Sequence, residues 1–276
     1  METSLPPGLY IVATPIGNLS DLSPRAAETL RGADLILAED KRVTAKLLAH
    51  ANAKAPMVTY HDHSSEQDRR RALDAIATKA VALVSDAGTP LISDPGYKLV
   101  RAARSEGLPI FTIPGPCAAI AALTVAGLPT DRFLFAGFLS AKSKARRDGI
   151  AELAGLKASL VFYESGPRLG EALADLAGGL GNRDAAVVRE ISKLHEECVT
   201  GSLAVLADRY AGSPPKGEIV IVIGPPLEQE ATEDDLDEAL GLALAEMSPS
   251  RAAAEVAARL GVPKKRAYAR ALELSR

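Results

Sequence analysis

The chain has 276 residues, of which 47% are hydrophobic and 24% charged, and its formal net charge is −3. This composition is typical of a soluble globular protein and offers no general positive field for nucleic acid. No apolar run approaches the roughly 18 residues of a membrane helix, and the first residues lack the basic and apolar regions of a signal peptide. We therefore expect a cytoplasmic protein that is not bound to a membrane.

Cysteine and histidine give no sign of a metal site or a disulfide framework. The two cysteines, Cys117 and Cys198, lie far apart in the sequence, and no zinc-binding spacing is present. His61 and His63 are two residues apart, but without an evident third ligand a polar loop is the preferred interpretation. The P-loop motif and the nucleophile elbow of α/β-hydrolases are both absent, which argues against those two classes of enzyme.

The first 116 residues alternate short apolar runs with helical segments. Ser23 and Pro24 form a typical helix start, and Gly32 a typical helix end. The predicted strands are 9–13, 35–38, 57–60, 81–84 and 110–113, and the predicted helices are 25–31, 66–78 and 97–105. Strands and helices at this spacing predict a parallel sheet built from right-handed βαβ units.

Each of these strands runs into a polar or turn-rich loop. The loops read TPIGN, EDKR, HDHSSE, SDAGTPLISDPG and PGPCA in chain order. Taken alone, the long loop after the 81–84 strand could equally be an ordinary connection. Because ligands bind beyond the carboxyl ends of parallel strands, the whole set predicts a binding cleft. Within the long loop, we expect 94–96 to cap the following helix.

A second α/β half follows without a long linker. An Ala-rich helix to Ala126 leads into predicted strands at 133–138, 159–163, 185–188 and 218–223, with helices at 142–156 and 203–210. Two packed α/β halves commonly hold a small molecule in the cleft between them. We assign 1–116 to an N-terminal α/β domain and 117–227 to a C-terminal α/β domain.

Residues 228–276 differ in character and are assigned to a helical extension. Positions 228–246 contain eight acidic residues and no Lys or Arg, whereas 248–276 contain seven Lys or Arg and two Glu. Ser248 and Pro249 predict a helix start. The segment 253–270 partly fits a helix-turn-helix pattern, and a plain packed pair of helices is the alternative. Its basic surface would suit a phosphate backbone.

Six motifs in order carry a resemblance to a known family. TPIGNLSD, AED followed by Arg42, SDAGTPLISDPG, IPGPCA, FYESGPR and REISKLHEE resemble the ribosomal RNA small subunit methyltransferase I family, which is part of the tetrapyrrole methylase superfamily. The resemblance covers about 9–226, and the tail is similar to the family's C-terminal helical piece. Lys41 departs from the pattern, in which threonine is expected.

The resemblance implies two α/β domains of the tetrapyrrole methylase type with a cleft between them. It implies S-adenosyl-L-methionine as cofactor and 2′-O-methylation of a cytidine in the decoding region of 16S rRNA, within an assembled 30S subunit. It also implies a homodimer. Two other functions remain open, namely methylation of a small tetrapyrrole or corrinoid precursor on the same fold, and RNA binding without catalysis. The basic segments at 142–147 and in the tail argue against the small-molecule substrate.

Site residues follow from the resemblance position by position. The implied cofactor-binding residues are Pro15, Ile16, Asp86, Gly88, Thr89, Ile92, Cys117, Ala118, Tyr163, Glu164, Leu194 and Pro225. RNA is expected to lie over Arg42, Lys144, Arg147, Arg168 and Arg189. Candidates for accepting the hydroxyl proton are Lys193 and Glu190, with Asp86 and Asp40 behind them. Lys193 requires a depressed pKa for that role, and otherwise we expect it to orient phosphate.

Overall fold

The computed structural model describes residues 5–61, 64–227 and 233–275. The chain divides into two compact units, Met1–Pro226 and Leu227–Arg276. The larger unit contains two five-stranded sheets. His63, half of the histidine pair noted above, lies outside the described residues, as do positions 228–232 of the predicted extension. The predicted division of the larger unit into 1–116 and 117–227 stays a prediction.

The first sheet is entirely parallel, as the sequence predicts. Its strands are β1 (Gly8–Val12), β2 (Leu35–Ala38), β3 (Met57–Thr59), β4 (Ala80–Val84) and β5 (Ile110–Ile113), in the order β3-β2-β4-β1-β5. Its helices are α1 (Pro24–Gly32), α2 (Lys41–Ala51), α3 (Glu66–Thr78) and α4 (Tyr97–Ser105). Helix α2 was not predicted, although Asp40 caps it by accepting a hydrogen bond from the backbone of Arg42.

Helices cover both faces of this sheet because side chains alternate along the strands. Tyr10 of β1 packs in a core with Leu30 of α1, whereas its neighbour Leu9 packs on the opposite face with Ile76 of α3 and Leu99 of α4. All five residues of β4 are buried, which is typical of a central parallel strand. Because all five strands are parallel, their carboxyl ends meet at one edge of the sheet.

The second sheet is mixed. Its strands are β6 (Phe133–Phe138), β7 (Ser159–Ser165), β8 (Asp184–Arg189), β9 (Glu197–Ser202) and β10 (Glu218–Ile223), in the order β6-β7-β10-β8-β9. Only the β6–β7 pair is parallel. Helix α5 (Ala118–Val125) packs on one face, and α6 (Ser143–Leu153), α7 (Leu169–Leu180) and α8 (Leu203–Tyr210) pack on the other. The expected α/β fold class is confirmed.

Strand β9 is an element that the sequence did not reveal. Its sequence, ECVTGS, has no apolar run, and its residues are only partly buried because β9 lies at the edge of the sheet. An edge strand with one solvated face needs little hydrophobic sequence.

The smaller unit is described as three helices, α9 (Glu233–Leu244), α10 (Pro249–Leu260) and α11 (Lys264–Leu274). Helix α10 begins at the predicted Ser248-Pro249 start, and Gly261 ends it in the left-handed conformation, with φ of 68°. Leu236, Leu240 and Val256 are buried in a small core that the helices share. Across the described part of the chain, no helix is long and apolar enough to cross a lipid bilayer.

Candidate active site

A pocket of about 200 Å³ lies between the two sheets of the larger unit. The first sheet contributes the loops after β1 and β4, and the chain after β5 contributes the start of α5. The second sheet contributes β7, β10, the last residue of β6 and the turn that follows β8. The lining residues are Ile16, Ala87, Gly88, Thr89, Ile92, Ser93, Asp94, Cys117, Ala118, Phe138, Tyr163, Glu164, Ile191, Glu218, Ile219 and Val220.

The loop after β4 contributes more of the lining residues than any other segment, and its backbone is tightly constrained. Gly88, Leu91, Ser93 and Gly96 all have positive φ, at 83°, 75°, 62° and 129°. A branched residue such as Leu91 adopts this region at a cost, and such strain is most often found at functional sites. Because the loop passes through it at several positions, its path is set by the surrounding contacts and not by local preference.

Two sets of hydrogen bonds hold this loop to its neighbours. Thr14 and Gly88 exchange backbone hydrogen bonds of 2.8 and 3.1 Å, which join the loops after β1 and β4. The Thr89 hydroxyl donates to the Pro116 carbonyl over 2.9 Å, which joins the loops after β4 and β5. The three loops therefore form one connected wall.

Asp94 belongs to the pocket and does not cap α4, so the cap predicted at 94–96 is confirmed at Gly96 and wrong at Asp94. Gly96 is the N-cap of α4, and no side chain makes a capping hydrogen bond there. Asp94 instead lines the pocket. Burial raises the pKa of its carboxyl to about 6, against the effect of a hydrogen bond from Ser85, and the charges of Glu39 and Asp86 raise it further. A carboxyl with this pKa changes charge close to physiological pH.

Tyr163 and two phenylalanines give the pocket an aromatic side. The phenol oxygen of Tyr163 accepts a hydrogen bond from the backbone of Ala119 over 3.2 Å. Burial raises the pKa of this phenol, and Cys117 beside it raises it further, so the hydroxyl keeps its proton. Phe135 and Phe138 meet the ring edge-on, with centroids 4.8 and 5.5 Å away.

Glu164 places a fully buried carboxylate at the pocket. Its Oε1 accepts a hydrogen bond from the backbone of Ser165 over 2.8 Å. Its Oε2 lies 3.2 Å from Nη2 of Arg168 but makes no hydrogen bond to any described residue. Arg168 also donates to the carbonyl of Leu139 over 2.6 Å. The guanidinium that was predicted to contact RNA is thus engaged inside the protein.

The two candidate proton acceptors form an ion-paired cluster beside the pocket. Nζ of Lys193 lies 3.0 Å from the carboxylate of Glu190 and 2.8 Å from that of Glu218. Burial lowers the pKa of Lys193, but hydrogen bonds to Glu218 and Glu190 outweigh it, so the pKa is raised. The hydrogen bond from Lys193 lowers the pKa of Glu190. The depressed pKa that Lys193 would need as a base is therefore not present.

Eight of the twelve predicted cofactor residues line the pocket together, whereas four do not. Asp86 accepts a hydrogen bond from the backbone of Asp40 over 3.1 Å, and partial burial raises its pKa. Leu194 is 93% exposed. Pro15 and Pro225 are the other two outside the lining. Their roles, like those of the eight, stay predictions.

Most of the other predicted RNA-binding cations face solvent. Arg42 pairs with Asp40, and Lys144 pairs with Asp148, both at the surface. Arg147 is exposed and donates to the hydroxyl of Ser143. Arg189 pairs with Glu197 at 3.0 Å and is only 23% exposed, so its charge is partly satisfied within the sheet. In the residues that the structure covers, no group of three or more His, Cys, Asp or Glu side chains is placed to hold a metal ion.

Several lining residues were missed by sequence reasoning. Ser93 and Asp94 lie in the long loop after β4. The sequence does not show that the backbone around them is left-handed, and this conformation decides which residues of the loop reach the pocket. Phe138 is the last residue of the predicted strand 133–138, and an aromatic residue at a strand end was an available signal. Glu218, Ile219 and Val220 are in β10, where a strand pattern does not indicate which face meets a ligand.

Comparison with known proteins supports the interpretation of the fold. Residues 8–207 match the family model for tetrapyrrole (corrin/porphyrin) methylases. Among solved structures, a uroporphyrin-III-C-methyltransferase from Thermus thermophilus is 21% identical with a TM-score of 0.56, covering 79% of this chain and 94% of its own. A diphthine synthase is 18% identical with a TM-score of 0.61, covering 78% and 89%. At these identities the likeness shows the fold alone.

Closer relatives cover almost the whole chain. The ribosomal RNA small subunit methyltransferase I of Erythrobacter litoralis is 57% identical over 98% of this chain and 96% of its own. The protein of the same name from Escherichia coli O157:H7 is 44% identical over 96% and 94%. Residues 230–275 match a second model, the RsmI C-terminal HTH domain. The chain therefore belongs to the ribosomal RNA small subunit methyltransferase I family of tetrapyrrole methylases.

Proposed function

We propose that this protein methylates the 2′ hydroxyl of a cytidine in the decoding region of 16S rRNA, with S-adenosyl-L-methionine as the methyl donor. The observation that carries the proposal is the near full-length similarity to relatives named for methylation of small subunit rRNA. A related fold has been solved as a complex with S-adenosyl homocysteine, in a uroporphyrin-III C-methyltransferase that is 22% identical. The pocket at the strand ends is the place for such a cofactor on this fold.

The lining of the pocket fits that cofactor. Oε2 of Glu164, which lacks a hydrogen bond among the residues described, can accept one from an amino or hydroxyl group. Glycine at position 88 leaves room between two residues of the lining, since a Cβ there would lie only 3.3 Å from Cγ2 of Ile16. The residues that would hold the cofactor are Ile16, Gly88, Thr89, Ile92, Cys117, Ala118, Tyr163 and Glu164. Pro15, Asp86, Leu194 and Pro225 would border it.

When bound, the cofactor would supply a methyl group on a positively charged sulfur, and that sulfur would leave as a neutral thioether when a hydroxyl oxygen bonds to the methyl carbon. The chain must then position the ribose and receive its proton. Asp94 lines the pocket on a constrained loop and is the residue that we assign to accept the proton at its carboxylate. Positioning two reactants correctly is worth about 7–11 kcal/mol of the barrier, and a base adds roughly 10²–10⁴-fold.

Lys193 and Glu190 have a different role in this proposal. Lys193 forms ion pairs with both Glu190 and Glu218, which keep it protonated, so that it can donate a hydrogen bond to an RNA phosphate but cannot act as a base. Glu218 lines the pocket, so this cluster would lie between the bound RNA and the bound cofactor.

The decisive experiment uses 30S subunits from a bacterial strain that lacks the native methyltransferase. The purified protein and S-adenosyl-L-methionine should restore a stop in primer extension at low nucleotide concentration, at one cytidine of the decoding region. An unchanged extension pattern, together with full methylation of a tetrapyrrole precursor, would replace this proposal by the small-molecule alternative. Naked 16S rRNA tested in parallel shows whether the assembled subunit is required.

Two further expectations belong to the same proposal. We expect the protein to act as a homodimer, which light scattering of the purified protein measures directly. Cofactor binding measured by calorimetry distinguishes an enzyme from a module that binds RNA without catalysis. Binding of RNA but not of S-adenosyl-L-methionine would favour the second.

A further inference from the structure

Helix α11 of the smaller unit has three distinct sides. Ala267 and Ala271 are fully buried in the core of that unit. On one flank of these alanines, Arg266 donates to Glu233 over 2.7 Å, and Arg270 makes two hydrogen bonds of 2.6 Å to Asp237. Both acidic partners belong to α9. One flank of α11 is therefore electrically satisfied by the acidic helix.

The opposite flank of α11 is basic and aromatic. Lys264, Tyr268 and Leu272 are spaced four residues apart and so form one stripe along the helix, with Lys265 beside it. Tyr268 and Leu272 are each 42% exposed, and both lysines are exposed. Within residues 233–275, neither lysine has an ion pair. We call these four residues the Tyr268 face.

The position of the two lysines costs the helix stability. Lys264 and Lys265 are the first two residues of α11, where the helix dipole is positive and favours acidic residues. The acidic residues of this unit lie instead on α9, at the start of which stand Glu233, Asp234 and Asp235. Residues that lower the stability of the helix in which they lie are expected where a surface serves binding.

We infer that the Tyr268 face binds RNA, with the lysines on backbone phosphates and the Tyr268 ring stacked on an unpaired base. The inference deepens the proposed function and rests on it, because it takes ribosomal RNA as the partner. Lysines neutralise phosphates without reading sequence. Unpaired RNA bases stack on exposed aromatic rings, and Leu272 extends the apolar surface next to the ring.

The test measures binding of the full-length protein to 30S subunits and to a fluorescent fragment of the decoding region, over a series of salt concentrations. For the double variant Lys264→Gln, Lys265→Gln we expect the slope of log affinity against log salt to fall by about 1.4, since each phosphate contact in a single strand contributes about 0.7. The control is Lys54→Gln, Lys157→Gln, which removes two exposed lysines of the larger unit and should leave the slope unchanged.

Tyr268 is tested separately, because stacking does not depend on salt. Tyr268→Ala should weaken binding roughly five- to hundredfold at every salt concentration, with the slope preserved, as expected for the loss of one stacked base. Tyr268→Phe keeps the ring and should bind within about twofold of the wild type. Thermal melting checks folding, and removal of the two lysines should not lower the melting temperature because it relieves the helix dipole.

The outcomes distinguish this inference from the proposed function. If the wild type methylates 16S rRNA while all three variants bind like the wild type, the inference fails and the proposed function stands. If the wild type neither methylates nor binds the RNA, both fail. Calorimetry with S-adenosyl-L-methionine should give the wild-type affinity for every variant, and a loss of that affinity would show that the substitutions act through the pocket instead of through RNA.

Discussion

Lys193 packs its side chain directly onto Gly17, so that a Cβ at Gly17 would overlap Cγ of the lysine. Gly17 lies in the loop after β1, whereas Lys193 lies in the turn after β8, and the contact therefore joins the two walls of the pocket. The hydroxyl of Ser192 hydrogen-bonds the carboxylate of Asp21 at the same junction. Glu190 and Ser192 have left-handed backbones, with φ of 52° and 66°, which shape this turn.

Gly17→Ala is expected to force the two walls apart. The added methyl would also lie 3.1 Å from the carbonyl oxygen of Ile191, a pocket residue that cannot move freely. Overpacking of this kind costs about 1–3 kcal/mol, and calorimetry should show at least a tenfold loss of cofactor affinity. Gly149→Ala is the matched control, because nothing lies within 4 Å of a Cβ there. As a change within α6, it should stabilise the protein by roughly 0.5–1 kcal/mol. Equal affinity for both variants would contradict the prediction.

Thr89→Trp is expected to abolish cofactor binding and leave the chain folded. Thr89 lines the pocket, and an indole ring there would occupy space that the proposed cofactor needs. The loop would still be held by the backbone hydrogen bonds between Thr14 and Gly88. Calorimetry measures the affinity, and far-UV circular dichroism checks the fold. A tryptophan variant that binds normally would show that the pocket is not the cofactor site.

Asp94→Asn is expected to remove a pH dependence as well as activity. With the pKa of Asp94 at about 6, the rate of methyl transfer by the wild type should rise as the pH passes 6 and the carboxylate forms. The asparagine variant should lose this rise and about 10²–10⁴-fold in kcat. The groups that face Asp94 are Ser85, Glu39, Asp86 and Tyr163.

The same variant separates proton transfer from folding. Because burial raises the pKa of Asp94 above its ordinary 3.8, the folded protein holds this proton more tightly than the unfolded chain. Its contribution to stability is therefore full below about pH 4 and is lost as the pH rises through 6. We expect Asp94→Asn to be more stable than the wild type at pH 8, with a difference that shrinks on acidification. If the variant were less stable than the wild type at pH 8, the charged carboxylate of Asp94 would instead stabilise the folded protein.

Arg168→Met is expected to destabilise the larger unit. Glu164 is fully buried, and Arg168, which is 31% exposed, is its ion-pair partner. Removal of one partner of a buried pair leaves an uncompensated charge and costs about 3–5 kcal/mol; partial exposure of the arginine places our estimate at about 3 kcal/mol. Chemical denaturation measures the loss. The double variant Glu164→Gln, Arg168→Met should recover part of it, and full additivity of the two single changes would argue against the pair.

The sequence was sufficient to predict the parallel sheet and the edge at which the site lies. The apolar run Val81–Val84 covers nearly all of β4, and the turn residues after it are required by the backbone, so local physics sets both. The capping box of α3, in which Ser65 and Asp68 bond each other's backbone, is equally local. The prediction of the cofactor-binding residues depends on the motif resemblance and not on local physics.

The features of the candidate site that the sequence does not predict depend on contacts between residues that are far apart in the chain. Asp94 was assigned to a helix cap because its neighbours Pro95 and Gly96 resemble a helix start, whereas its burial results from the packing of a strained loop. The raised pKa of Lys193 depends on Glu218, which is 25 residues away in the chain. Arg168 looks like any exposed cation until the fold places a buried carboxylate beside it.

The central position of β4 has a consequence for how a ligand is received. The strand is buried along its whole length and hydrogen-bonded on both sides, to β1 and β2, and the loop that carries Thr89 and Asp94 begins directly at its end. A loop anchored in this way is already ordered before the ligand arrives, so that little conformational entropy is lost on binding. The central strand of the sheet thus serves affinity by preorganisation.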